Sequence, residues 1–219
     1  MDSKIINREI KEAIWPALKV AGFSRFTSRV AWRHNPDSVD VFEFQSFNKY
    51  NADVLGITTF SFSVNLGKFP LYIPPQWAPK VKEGVQIPSE SECLFRGHLL
   101  PQMSAVPSSR IVWSVDADGK NLLRCLRDVF NQLPEALDWF ARLESRTEAL
   151  RVLLETDEDM HHLWGFGRNP SPTRSYHAGY VALALGDTPT ATAKLQEAVD
   201  SKCYVNLFSS VDGAINRAV

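Results

Sequence analysis

Residues 39–66 read VDVFEFQSF, then NKYNADVLG, then ITTFSFSVNL, and this stretch decides the fold. Both outer segments alternate apolar and polar side chains with period two, the signature of half-buried antiparallel strands. In the first, Phe42 and Phe44 share a face and Glu43 and Gln45 the other. In the second, Phe60, Phe62, Val64 and Leu66 lie opposite Thr59, Ser61, Ser63 and Asn65. The middle segment is polar and reads as a loop. The result is a sheet with one aromatic and one polar face. Phe42, Phe44, Phe60 and Phe62 are expected to hold it on the first helix, and any function is expected on the polar face.

Toward the N-terminus, Ile6, Ile10, Ile14 and Leu18 recur at helical spacing and predict a helix over residues 3–21. Pro16 removes a helical hydrogen bond and is expected to kink the helix or split it into two parts, here read as a bend near Trp15 and Pro16, and Gly22 supplies the stop. Residues 25–33 read as one strand, with Val30 and Trp32 opposite Arg29, Ala31 and Arg33. HNPDS at residues 34–38 is turn chemistry.

Toward the C-terminus, Gly67 is expected to end the central strand. Pro70, Pro74, Pro75, Pro79 and Pro88 disfavour helix and ladder alike. Residues 68–91 therefore predict a long ordered loop with one short helix, a candidate lid or contact surface. Residues 92–99 and 110–115 read as two further strands, and DADG at 116–119 as a turn. Helices follow at residues 121–132, 133–143 and 146–155. Ser145 and Glu148 match a capping box at the start of the third. Residues 164–172 read as a loop. Residues 174–199 form a helical hairpin, with Gly186 closing one helix, Thr188 capping the next and Pro189 in its first position. This hairpin resembles a single tetratricopeptide-type unit without a second copy, so it is expected to pack on the preceding helices. A short helix is expected within residues 203–219. The expected architecture is α+β: residues 1–133 form an N-terminal helix on an antiparallel sheet of about five strands, and residues 134–219 an all-helical extension.

Bulk properties exclude several function classes. Net charge is −1 and pI about 6.5, without the basic bias of a nucleic-acid binder. Cys93, Cys125 and Cys203 are odd in number and far apart, which suits reduced thiols in a cytoplasmic protein. No apolar run is long enough to span a bilayer, and the N-terminal stretch has no signal-type apolar core.

Strand alternation collects Arg29, Arg33, Glu43, Gln45, Ser61, Ser63, Asn65, Arg96 and His98 on the polar face. Arg33 and Arg96 are candidates for bidentate recognition of a carboxylate or phosphate. Glu43 with His98 is a candidate acid–base pair. The competing reading is a face left to water or covered by the C-terminal helices. His161 and His162 are adjacent and point about 100° apart on a helix. Neither HExxH nor a Cys/His spacing occurs, so no metal and no cofactor are expected. No Gly-x-Ser-x-Gly elbow, P-loop or Gly-x-Gly-x-x-Gly is present either. Cys93 reads as an inert buried thiol, and Phe69, Tyr72, Trp77 and Trp164 as loop aromatics available for packing or protein binding.

One ordered set of motifs carries a likeness. It runs Trp15-Pro-Ala-Leu-Lys19, Gly22-Phe23, Arg29-Val-Ala-Trp-Arg33, residues 39–47 ending in FQSF, Phe62-Ser-Val-Asn-Leu-Gly67, Cys93-Leu-Phe-Arg96 and Trp113. Over about residues 1–133 this resembles the bacterial family catalogued as domain of unknown function 4304. The resemblance implies an α+β fold and brings no catalytic residues. The functional expectation is a non-enzymatic bacterial binding protein whose partner is another protein, with an immunity or defence role by analogy alone. The alternative is a small-ligand-binding protein or enzyme using Arg33, Glu43, Arg96 and His98. The sequence leaves the oligomeric state open.

Overall fold

The computed structural model describes residues 3–103, 111–155 and 169–218. The first helical stretch is two helices, α1 (Ser3–Ala13) and α2 (Trp15–Val20). Pro16 lies in the first turn of α2, where its missing N–H costs nothing, so the expected bend is a break. Gly22 adopts φ +91°. The Phe23 amide reaches back to the Leu18 carbonyl at 3.0 Å, the wrap that closes a helix on a left-handed residue.

The sheet contains β1 (Arg25–Phe26), β2 (Val30–His34), β3 (Ser38–Ser46), β4 (Phe62–Pro70) and β7 (Phe95–His98), in the order β1-β2-β3-β4-β7. It is a five-stranded antiparallel sheet, yet two expected strands differ. Residues 25–33 make a tight hairpin in place of one strand: Arg25 pairs with Trp32 and Phe26 with Ala31. The expected strand at 110–115 contributes one bridge, Phe62 to Trp113; Arg110 lies outside the described residues. The segment read as a loop holds helix α3 (Lys49–Leu55), started by Asn48, whose side chain accepts from the Asn51 amide, and closed by Gly56 in the left-handed region. β4 begins only at Phe62 and runs through Gly67 to Pro70. Phe60 is therefore outside it and half-buried.

The proline-rich stretch contains a second hairpin, β5 (Val81–Lys82) with β6 (Val85–Gln86). Its two turn residues, Glu83 and Gly84, both have positive φ, as the twist of a two-residue hairpin demands. A 3-10 turn, Glu90–Glu92, follows, and a capping box forms there between Ser89 and Glu92. At Ser145 only half the expected box exists. Its side chain accepts from the Glu148 amide, while the Glu148 carboxylate is taken by Arg142 and Arg151.

The helices are α4 (Leu122–Asn131), α5 (Leu133–Arg142), α6 (Arg146–Leu154), α7 (Pro172–Leu185), α8 (Thr188–Asp200) and α9 (Val211–Ile215). Asp187, one residue before the expected Thr188, caps α8 by accepting from the Thr190 amide. His161, His162 and Trp164 lie outside the described residues.

The chain divides into two compact units, neither continuous in sequence. Unit one comprises Met1–His34, Asp40–Gly67 and Gly97–Trp139; unit two comprises Asn35–Val39, Lys68–Arg96 and Phe140–Val219. In unit one an aromatic chain forms the core. The Trp15 ring meets Phe44 at 5.7 Å, Phe44 meets Phe62 at 5.3 Å, and Phe62 stacks on Trp113 at 5.8 Å. Each such side chain stabilises by about 1.5–3 kcal/mol on full burial. Ile6, Ile10, Ile14 and Leu18 are fully buried, the stripe their spacing foretold.

In unit two, Gly179 lets α7 and α8 approach closely: a Cβ there would meet Leu195 Cγ and Cδ2 at 2.7 Å. Arg174, buried on α7, donates to the carbonyls of Leu153 and Glu155, which the end of α6 leaves without helical partners. Arg146 ties three segments together: its guanidinium grips Asp37 at 2.7 Å, donates to the Ala184 carbonyl and lies 4.6 Å from the Tyr72 ring centre.

Candidate functional site

The polar-face residues are largely engaged with the protein itself. Arg33 donates through Nε to Asp40 at 2.8 Å and through Nη1 to the Ala21 carbonyl, with its guanidinium against the Phe23 ring. Asp40 is fully buried. Arg96 makes the expected bidentate contact, but to Glu90 of this chain, at 2.8 and 3.1 Å. Arg29 donates through Nε to Asn7 Oδ1 at 2.6 Å. Asn65 Nδ2 donates to Gln45 Oε1 at 2.9 Å, so these two are brought together. Ser61 Oγ accepts from the Val115 amide at 3.1 Å and lies 3.3 Å from Thr58 Oγ1. Ser63 is buried, and its hydroxyl has no partner among the described residues. Glu43 and His98 sit on β3 and β7, with β4 between their strands.

Every residue of β4 is buried. Both faces of this strand are covered, and Ser63 and Asn65 face no open surface. Small polar side chains on a covered strand give the same period-two pattern as a solvated face.

A different concavity opens within unit two. The proline-rich segment supplies one wall with Phe69, Ile73, Pro75 and Trp77, residues 91–94 supply a second, and Thr173 and His177 of α7 the third. The space, open to solvent on one side, is about 330 Å³, at the lower end of small-molecule sites. Aromatic packing places the walls. Tyr176 Oη donates to the Pro74 carbonyl at 2.6 Å, and its ring meets Tyr204 at 4.6 Å and Tyr180 at 4.9 Å. Arg217 donates to the Pro75 carbonyl.

Most polar groups around this space are already satisfied. Glu92 accepts from both the amide and the hydroxyl of Ser89, and the Cys93 thiol donates to the Ser89 carbonyl at 3.4 Å. His177 differs. Its ring lines the cavity, its Nδ1 is shut from water, and that nitrogen has no hydrogen-bond partner among the described residues. Burial pushes its pKa down to about 3, so the ring is neutral at physiological pH and offers one donor and one acceptor nitrogen. Burial also raises the nearby tyrosines, Tyr176 and Tyr180, above their ordinary range. At the rim, Trp77 is 83% exposed.

The sequence singled out the proline-rich segment as a lid or contact surface but did not connect it with His177. The segment composition was the available signal; the helix that faces it lies about 100 residues further on. Among the described residues, no group of three or more His, Cys, Asp or Glu side chains is placed to hold a metal, and no helix is long and apolar enough to cross a membrane.

No protein-family model matches this chain, and no curated protein or solved structure was found to be similar to it.

Proposed function

We propose that this chain is a small-ligand-binding protein and that the unit-two cavity is its site. The supporting observation is a 330 Å³ space, apolar in much of its wall, that keeps one neutral imidazole with a buried nitrogen lacking a partner among the described residues. That combination suits a neutral ligand with an aromatic or apolar body and one polar group: the body replaces water against Phe69 and Ile73, and the polar group pairs with His177. Arg33 and Arg96 hold carboxylates of the chain itself, so an anion-reading role for them has less support than the cavity.

The test is ligand-observed NMR of the full chain against a fragment set of neutral aromatics containing indole, phenol and benzamide. Ser91→Trp, an exposed wall position, fills the mouth without touching the core. Fragments that bind the wild type and lose binding in Ser91→Trp support the reading; no binding, or binding unchanged by the block, refutes it. The expectation of a protein partner, with its immunity or defence role, keeps one observation in its favour. Trp77 and Val81 of the same segment are 83% and 59% exposed, and exposed aromatic anchors recur at protein interfaces. A pull-down from a bacterial lysate whose recovered partner is lost in Trp77→Ser would favour that second reading.

A further inference from the structure

Unit one carries a second cleft, of about 520 Å³, beside the α1–α2 break. Arg8 and Lys11 of α1 and Trp15 and Lys19 of α2 line it, so the two helices together bring three cations to it. Phe26, Thr27 and Ser28 of the β1–β2 turn close the opposite side. Trp15 and Phe26 make an apolar floor, with ring centres 5.5 Å apart, and the Trp15 indole is pinned to the Thr27 carbonyl.

Among the described residues no carboxylate lines the cleft, and its lysines, the Asn7 amide nitrogen and the Ser28 hydroxyl can all donate. Lys11 is exposed and makes no ion pair or hydrogen bond among the described residues. The Lys19 ammonium lies 5.6 Å from the centre of the Phe26 ring, held by an aromatic face in place of an acid. Arg8 is paired with Glu9 at 2.7 Å. Asn7 is oriented by Arg29, whose Nε sits 2.6 Å from Oδ1; the amide nitrogen is the end left to bond elsewhere. Arg29 thus meets a neutral partner, and its Nη1 is buried with no acceptor among the described residues. Glu9 offsets Arg8, while Lys11 and Lys19 form no ion pair among the described residues, so the positive charge the cleft offers over its apolar floor rests on these two ammoniums. At an open surface cleft this charge draws anions and is screened by salt.

We propose that this cleft binds a small phosphate-bearing anion of nucleotide size. The volume exceeds what a single phosphate fills, and a lining with lysines and no carboxylate among the described residues matches phosphate oxygens, which accept and never donate when ionised. Lys11 and Lys19 contact the phosphate, Asn7 and Ser28 complete its hydrogen bonds, and the floor takes the remainder of the ligand.

The experiment is isothermal titration of the full chain with ADP, inorganic pyrophosphate and adenosine, without divalent metal, in 20 and 200 mM NaCl. ADP is expected to bind and to weaken about tenfold at the higher salt, as ion pairing at a surface cleft requires; adenosine is expected not to bind. Pyrophosphate matching ADP assigns free polyphosphate as the ligand, and tighter ADP assigns a nucleotide. Lys11→Glu/Lys19→Glu is expected to lower affinity at least tenfold with an unchanged urea midpoint, because both side chains are exposed. Absence of ADP and pyrophosphate binding overturns the proposal. So does undiminished binding in the charge-reversed variant, or tighter binding of a single-stranded oligonucleotide than of ADP.

Discussion

Gly179→Ala tests how α7 meets α8. A methyl at this position would lie 2.7 Å from both Cγ and Cδ2 of Leu195 and 3.2 Å from its backbone nitrogen. Leu195 is fully buried. Rotation about χ2 moves Cδ2 and leaves Cγ in place, a χ1 change must find room in a packed core, and the backbone nitrogen moves with neither torsion, so full relief requires the helices to separate. Such overpacking costs about 1–3 kcal/mol. Alanine in a helix interior recovers up to about 1 kcal/mol relative to glycine. The net expectation is a loss of about 1–2 kcal/mol, or roughly 3–6 °C in Tm for a chain of this size. Urea unfolding followed by far-UV circular dichroism measures it, with an unchanged m-value confirming that stability and not cooperativity has moved. Leu195→Ala alone costs about 2–5 kcal/mol. In the double variant the new methyl occupies part of the vacated space, so the two losses sum to at least about 1 kcal/mol more than the double variant shows. A neutral or stabilising Gly179→Ala, or strict additivity with Leu195→Ala, would refute the close-approach argument.

Two further outcomes follow from unit two. His177 has a folded-state pKa near 3 against its ordinary 6.5. The unfolded chain therefore binds one more proton between those values, and stability present above pH 6.5 falls as pH drops, by up to about 1.4 kcal/mol per unit. Urea midpoints from pH 7 to pH 4 should show this slope in the wild type and its loss in His177→Phe; parallel profiles would contradict it. Arg174→Met removes the donor to the Leu153 and Glu155 carbonyls, with an expected cost of about 3 kcal/mol in urea unfolding, since bonds from a charged donor contribute about 1.5–3 kcal/mol each. A cost below 1 kcal/mol would mean those carbonyls find other partners.

Where one residue type dictates local geometry, the sequence was readable. Pro16 separates α1 from α2, Gly22 closes α2, and Gly186 ends α7 at φ +76°. The fully buried isoleucines of α1 announced themselves by spacing. Helix α3 escaped because apolar periodicity was the wrong guide: Tyr50, Val54 and Leu55 are exposed and Ala52 alone is buried. Its signals were the caps, Asn48 and Gly56, in a segment otherwise polar enough to read as a loop. Ser63 and Asn65 misled for another reason. Alternation reports that two faces differ, not that one is wet, and small polar groups fit a covered face when a partner such as Gln45 is within reach. Arg33 and Arg96 looked available because their acids, Asp40 and Glu90, lie across a strand pair and at a 3-10 turn, pairings that depend on the folded path of the chain. The cavity was invisible for the same reason, with His177 brought to the proline-rich wall by the folding of unit two.

The interleaving of the two units sets a timetable for the chain at birth. Unit two begins with five residues, Asn35–Val39, yet Asp37 meets Arg146 across 109 residues, Pro74 meets Tyr176 across 102, and Pro75 meets Arg217 across 142. At a synthesis rate of about 5–20 residues per second, Asp37 waits roughly 5–20 s for its arginine to be made. During that interval Phe69 and Ile73, buried in the finished molecule, have none of the C-terminal helices to pack against. A single proteolytic or genetic cut cannot release either unit whole, because each is threaded through the other's sequence.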